Sequence, residues 1–151
     1  MASQLMIMSS TNEFDQLIGP SVGNWSAAAF PDRAKELVGV TVKLLPYDAD
    51  LHSELLYNAI NEGNNGSSWT YLPYGPFNDF SEFKKAMLSF SSASDVVTYT
   101  VLDLRSNKIV GTCSYLRIVP EHGVIEIGHI HFSNLMKRST ASTESIFLLL
   151  R

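Results

Sequence analysis

A single cysteine, Cys113, leaves the 151-residue chain no internal disulfide to form, and no N-terminal apolar run reaches the length of a signal peptide or membrane span. These absences imply a reducing, cytoplasmic setting and no membrane partner. Charge is also scarce, with 17% Asp, Glu, Lys and Arg and a formal net charge of −4. A broad grip on nucleic acid is therefore excluded, because such binding needs many cations set against many phosphates. There is no Gly-x-Gly-x-x-Gly, no Walker loop and no paired Cys-x-x-Cys, so dinucleotide, P-loop and zinc-ribbon readings lack their spacings. Internal repeats and low-complexity segments are missing as well.

What remains is an ordinary globular composition, 45% hydrophobic, of a size that buries one core but not two. Residues 1–35 show little periodicity, and Gly19-Pro20 and Pro31 suggest an arm laid over a domain of residues 36–151, with Trp25 and Phe30 as its anchors. Val38, Val40 and Val42 alternate with Gly39, Thr41 and Lys43, which predicts a strand from Leu37 to Leu45 ended by Pro46. A helix capped by Asp48 or Asp50 follows, with Leu51, Leu55, Leu56, Ala59 and Ile60 as its apolar face. The stretch Trp69-Thr70-Tyr71-Leu72-Pro73-Tyr74-Gly75-Pro76-Phe77 reads as a rigid aromatic loop. A second helix from Asn78 or Asp79 carries Phe80, Phe83, Met87 and Phe90 inward. Val96 to Leu104 and Ile109 to Ile118 form a hairpin, Pro120 to Gly123 a turn, and Val124 to Phe132 a third strand. A last helix runs from Ser142 to Arg151.

The segment after that third strand carries the first chemical signal. Ser133 to Glu144 is a basic, hydroxyl-rich turn that opens a helix, and the first N–H groups of a helix have no intrahelical partner and favour an anion. A phosphate-bearing ligand is expected there, against the plainer reading of a solvated turn. Cys113 lies in a strand with no basic neighbour to activate it, as an inert core residue would. His129 and His131 make a His-x-His pair, but no third ligand lies at a persuasive spacing, and His52 and His122 are isolated, so no metal is expected. Strict alternation puts His129 and His131 on the face opposite Glu126, and only a bulge would bring the three together.

Three segments carry a family resemblance: the aromatic loop from Trp69 to Phe77, Glu126-Ile127-Gly128-His129-Ile130-His131-Phe132-Ser133, and Arg138-Ser139-Thr140-Ala141-Ser142-Thr143-Glu144. With the element order, they make residues 19–151 similar to GNAT acetyltransferases, in particular to the branch of the ribosomal-protein N-terminal acetyltransferases. The third segment resembles that branch's Arg-Thr-x-Ala-x-Thr-Glu pyrophosphate loop, with Ser139 keeping the hydroxyl. The resemblance implies an α/β fold of the α+β kind, a mainly antiparallel mixed sheet flanked by helices. It further implies that the chain stops within the helix after the central strand, lacking the C-terminal third. Acetyl-CoA is the implied cofactor. The implied reaction is direct attack on its thioester by an amine acceptor, either a protein N-terminus or a small amine.

Under that resemblance, Ile130, His131, Phe132 and Ser133 pair with the pantetheine arm, and Arg138, Ser139, Thr140, Ala141, Ser142 and Thr143 hold the pyrophosphate. Glu126 is the candidate base, or else a surface ion-pair partner, and His129 or His131 a proton relay. Trp69, Tyr71, Tyr74 and Phe77 either wall the acceptor pocket or plug the core. Glu144 is expected to pair with a basic group or point away from bound phosphates. The rival from another class is an inactive CoA-binding or interaction module whose unfinished sheet edge pairs with another chain, a second copy included.

Overall fold

The computed structural model describes residues 10–19 and 23–151. A short hairpin, β1 (Ser10–Thr11) with β2 (Leu17–Ile18), stands apart from the main sheet. Next come β3 (Leu37–Val38), β4 (Val42–Pro46), α1 (Ala49–Asn61), a 3-10 turn at Ser67–Trp69 and α2 (Phe80–Ser91). The chain then runs through β5 (Val97–Asp103), β6 (Lys108–Val119), β7 (Val124–Phe132) and α3 (Thr140–Leu150). The five main strands lie in the order β3-β4-β5-β6-β7, antiparallel throughout. This is the expected α+β arrangement of helices flanking a mainly antiparallel sheet.

The sheet separates two cores. On one face α3 lays Ala141, Leu148 and Leu149 over Val42, Leu44, Tyr99, Val101 and Cys113. On the other, α1 and α2 bring Leu56, Ile60, Phe83 and Met87 around Trp69 and Ile109. Cys113 is fully buried, and burial pushes its thiol up to about 12, so it has no nucleophilic character.

Asp48, one of the two candidates for the first cap, accepts from the amides of Asp50 and Leu51, and Asp79, at the expected start of the second helix, accepts from the amide of Glu82. The face predicted for α1 needs correction. Ser53, Leu56 and Ile60 are its buried stripe, at spacings of three and four, while Leu51 and Leu55 lie off that stripe and face solvent. The last helix begins at Thr140 and not Ser142, with Ser139 at its N-cap. The arm expected over residues 1–35 contains the β1–β2 hairpin, and Pro20 falls outside the described residues. Trp25 anchors the arm: its indole N–H donates to the Glu121 carbonyl at 2.7 Å, and its ring covers Gly123, where a Cβ would lie 2.5 Å away.

The strand expected from Leu37 to Leu45 is in fact two, β3 and β4, folded back at Gly39-Val40-Thr41. Valine alternation reads the same through a turn as through a strand, and what makes the turn here is distant in sequence. The Glu144 carboxylate accepts from the amides of Val40 at 2.6 Å, Thr41 at 2.7 Å and Val42 at 3.1 Å, and from the Thr41 hydroxyl. Gly39 is required beside it, since a Cβ there would lie 2.6 Å from that carboxyl group. Of the two expectations for Glu144, a basic partner is not what it finds; its carboxylate turns to backbone amides of the β3–β4 turn, away from the first amides of α3.

Phe83 is fully buried and packs edge-on against Trp69 and Phe77. Phe83→Ala is expected to cost about 3–5 kcal/mol, read as a lower urea midpoint. Partial desolvation raises the pKa of Glu144, but the four hydrogen bonds outweigh it and hold the carboxyl below its usual 4.5. A group depressed in the folded state adds stability above its unfolded pKa and loses it as pH falls through the folded value. Glu144→Gln should therefore be less stable than wild type at neutral pH, by a margin that shrinks below about pH 4.5. A margin constant down into strong acid would show that the carboxylate charge does not hold the turn.

Candidate functional site

The edge strand β7 pairs with β6 through Thr112↔His131 and Ser114↔Gly128, so two residues of β6 span three of β7. The extra residue is a bulge, and His129 carries its left-handed backbone at φ 47. Non-glycine residues rarely hold that conformation, because Cβ crowds the following carbonyl. The bulge changes the parity of the strand. Glu126 opposite Leu116, Gly128 opposite Ser114 and His131 opposite Thr112 all belong to the face covered by α1 and α2. His129 joins them by stacking on Tyr74 and Phe90, while Ile127 goes to the α3 face. Alternation alone separates Glu126 from the histidines; the bulge unites them.

His129 is half-buried, its Nδ1 2.7 Å from the Tyr74 hydroxyl and its ring nearly parallel to Tyr74 at 5.1 Å. Desolvation pulls its pKa below 6.5, against a pull upward from Glu126 and with a further push downward from Arg117. The imidazole is neutral at neutral pH. Burial raises Tyr74 to about 12, so its hydroxyl keeps its proton. Glu126 accepts from Arg117 at 2.7 Å. His131 is 3% exposed, with Nε2 2.8 Å from the Ser68 hydroxyl and its ring edge-on to Trp69 at 4.0 Å. Burial, with Lys137 adding to it, lowers His131 to about 4. Among the described residues, His131 Nδ1 and Ser133 Oγ are buried without a hydrogen-bond partner.

The aromatic loop divides its residues between core and rim. Trp69 is 4% exposed, and Phe77 packs edge-on against it at 5.3 Å, so both belong to the core under His131. Tyr71 points to solvent, 97% exposed. Tyr74 alone of the four reaches His129.

Past β7, Ser133 donates its amide to the Val110 carbonyl at 2.9 Å, and buried Met136 pins the middle of the turn. Exposed Arg138 sits at φ 58 just before the helix. Ser139 holds the N-cap backbone conformation, but its hydroxyl donates to the Met136 carbonyl at 2.6 Å instead of capping. The amides of Thr140, Ala141 and Ser142 thus have no acceptor among the described residues, which leaves a helix mouth of the kind suited to an anion. A cleft of about 630 Å³ opens beside it, walled by the Val40-Thr41 turn, by Arg105 on the β5–β6 turn and Lys108 at the start of β6, and by Ser139–Ala141. Neither Arg105 nor Lys108 makes an ion pair among the described residues. Sequence reasoning read residues 105–108 only as a turn; two cations in four residues were the available signal.

The outer edge of β7 has no neighbouring strand among the described residues. Ile130 and Phe132 lie along it, followed by Ser133, while Ser142 and Thr143 border an apolar hollow with Ile146 and Phe147. A free backbone edge for an amide-bearing arm, leading to uncapped amides beside an arginine, is a donor set suited to coenzyme A. The described residues contain no group of three potential metal ligands and no helix long and apolar enough to cross a membrane.

Neither a protein-family model nor a curated protein matches the chain. Solved structures do. A protein of Chromobacterium violaceum described as a GNAT-family acetyltransferase is 34% identical over 88% of this chain and 66% of its own length, at TM-score 0.79. A GCN5-related N-acetyltransferase of Brucella melitensis is 33% identical over 84% of this chain and 57% of its own length, also at TM-score 0.79. A ribosomal-protein α-N-acetyltransferase in complex with coenzyme A shares the fold at TM-score 0.60 and 15% identity, over 77% of this chain and 66% of its own length. The chain spans 66% and 57% of the first two proteins, no more than about two thirds of either. At that identity and TM-score, the chain belongs to the GNAT acetyltransferase family.

Proposed function

We propose that this chain binds acetyl-CoA and takes part in acetyl transfer to an amine, with β7 and the mouth of α3 as the cofactor site. One observation carries the reading: β7, bulged at His129 and with no strand on its outer edge among the described residues, leads through one turn to three uncapped amides at the start of α3. When bound, acetyl-CoA supplies an acyl group activated as a thioester. The backbone of Ile130 to Ser133 extends along the pantetheine arm, and the amides of Thr140 to Ser142 with the Arg138 guanidinium receive the pyrophosphate. His131 contributes backbone only, since its ring is held under Trp69.

An amine nucleophile must reach the thioester uncharged, so its proton needs an acceptor. His129 is neutral, and when its Nδ1–H donates to the Tyr74 oxygen, Nε2 is left as the acceptor. Glu126, on the same face, favours the imidazolium that results, and Arg117 holds the carboxylate in place. Tyr74 and Phe90 pack against the ring, fix its plane and shield it in part from water. The acceptor is an amine of a protein N-terminus or a small molecule.

A second reading, coenzyme A binding coupled to association with another chain, is favoured by the exposed apolar rim beside β7. Ile125, Phe147 and Leu150 are 45%, 59% and 72% exposed. Sedimentation equilibrium separates the two readings, since a monomer at all concentrations removes self-association through this edge.

Arg138→Asn keeps a residue that tolerates the left-handed conformation and removes the charge. It should weaken acetyl-CoA binding about tenfold in calorimetry with little change in melting temperature. Unchanged affinity would sink the pyrophosphate assignment. For turnover, the rate should fall as pH drops through the His129 pKa, below 6.5. Glu126→Gln removes the charge that raises that pKa, so the acid limb should move to lower pH while acetyl-CoA affinity holds. An acid limb that stays in place would separate Glu126 from the proton transfer.

A further inference from the structure

The turn between β3 and β4 presents three successive amides, of Val40, Thr41 and Val42, to one point. Converging amides of this kind form an anion nest. Here the nest is filled from within by Glu144, which lies in the second turn of α3, five positions beyond the Ser139 N-cap. The same helix opens on the empty amides of Thr140, Ala141 and Ser142, and Val40, Thr41, Ser139, Thr140 and Ala141 wall one cleft. The C-terminal half of α3 is fastened separately, by Leu148 and Leu149 in the core and by the Tyr115 hydroxyl donating to the Leu149 carbonyl at 2.6 Å. The first turns rest on Ala141, on fully buried Ser145 and on the Glu144 contact.

We propose that Glu144 is a positioning residue for phosphate binding: by locking the start of α3 to the β3–β4 turn, it fixes the free amides of Thr140 to Ser142 in the geometry a pyrophosphate requires. The inference rests on the coenzyme A reading and adds to it a residue that touches neither cofactor nor acceptor. Two physical arguments support it. Amides bind an anion best when they are already aimed, because ordering them on binding costs affinity. A carboxylate near phosphates would also repel them if it were free. Three amides and a hydroxyl engage this one and aim it at the β3–β4 turn, away from the helix mouth. Gly39 completes the device by leaving room for the carboxyl group.

Coenzyme A is titrated calorimetrically into the wild-type chain and the Glu144→Gln, Thr41→Ala and Gly39→Ala variants, at a temperature where circular dichroism shows each to be folded. Pantetheine, which shares the arm but has no phosphate, is titrated in parallel by amide NMR. Glu144→Gln should weaken coenzyme A about tenfold, the equivalent of one charge-assisted hydrogen bond, and leave pantetheine unchanged. Thr41→Ala, which loses only the hydroxyl contact, and Gly39→Ala, which displaces an intact carboxylate, should show smaller losses of the same selectivity, so the test stands if Glu144→Gln does not fold. Equal weakening of both ligands would reduce Glu144 to a structural role, and unchanged affinities would remove the coupling. A wild-type chain that ignores coenzyme A would sink the cofactor reading itself and this role with it.

Discussion

One inserted residue in β7 decides which side chains meet. Because strand side chains alternate strictly, an extra residue between Gly128 and His131 reverses the parity of everything beyond it. Without it, His129 and His131 would share the α3 face with Ile127, burying imidazoles among Cys113, Val101 and Leu148. With it, Glu126, His129 and His131 all face α1, α2 and the aromatic loop, where Tyr74 and Ser68 give the rings polar partners. The left-handed strain at His129 is the cost, and the packing of Tyr74 and Phe90 against the ring helps to hold it.

The same rings explain why the two histidines differ. Both lose basicity through desolvation, but His131 lies under Trp69 and falls to about 4, whereas His129 stays at the rim near Glu126. Of the two, only the rim histidine keeps its ring partly exposed. The aromatic loop thus acts mainly through its packing. Trp69 and Phe77 build the floor that shuts His131 away, and Tyr74 fixes the one imidazole left accessible.

Backbone amides organise the other end of the site. In a protein with so little charge, the backbone donors of a turn and of a helix start offer geometry suited to anions. Of the two amide clusters bordering the cleft, one is occupied by Glu144 and the other is open. Ser139, which by residue type ought to cap α3, turns its hydroxyl back to Met136 and leaves that second cluster free.

The sequence by itself determined the order of the helices and of the last three strands, the starts of α1 and α2, the hairpin of β5 and β6 and the limits of β7. Each of these is a local property, set by periodicity, capping chemistry or turn residues within a few positions. Three segments were enough to point to the GNAT family. Only the tertiary structure decided that residues 37–46 fold back on themselves, because the acceptor that makes the turn, Glu144, lies about a hundred residues away. It alone decided which leucines of α1 are buried, since an apolar stripe wider than the available surface leaves some exposed. The bulge at His129 was likewise beyond periodicity: alternation states what a regular strand does, and register is settled by the strand across from it.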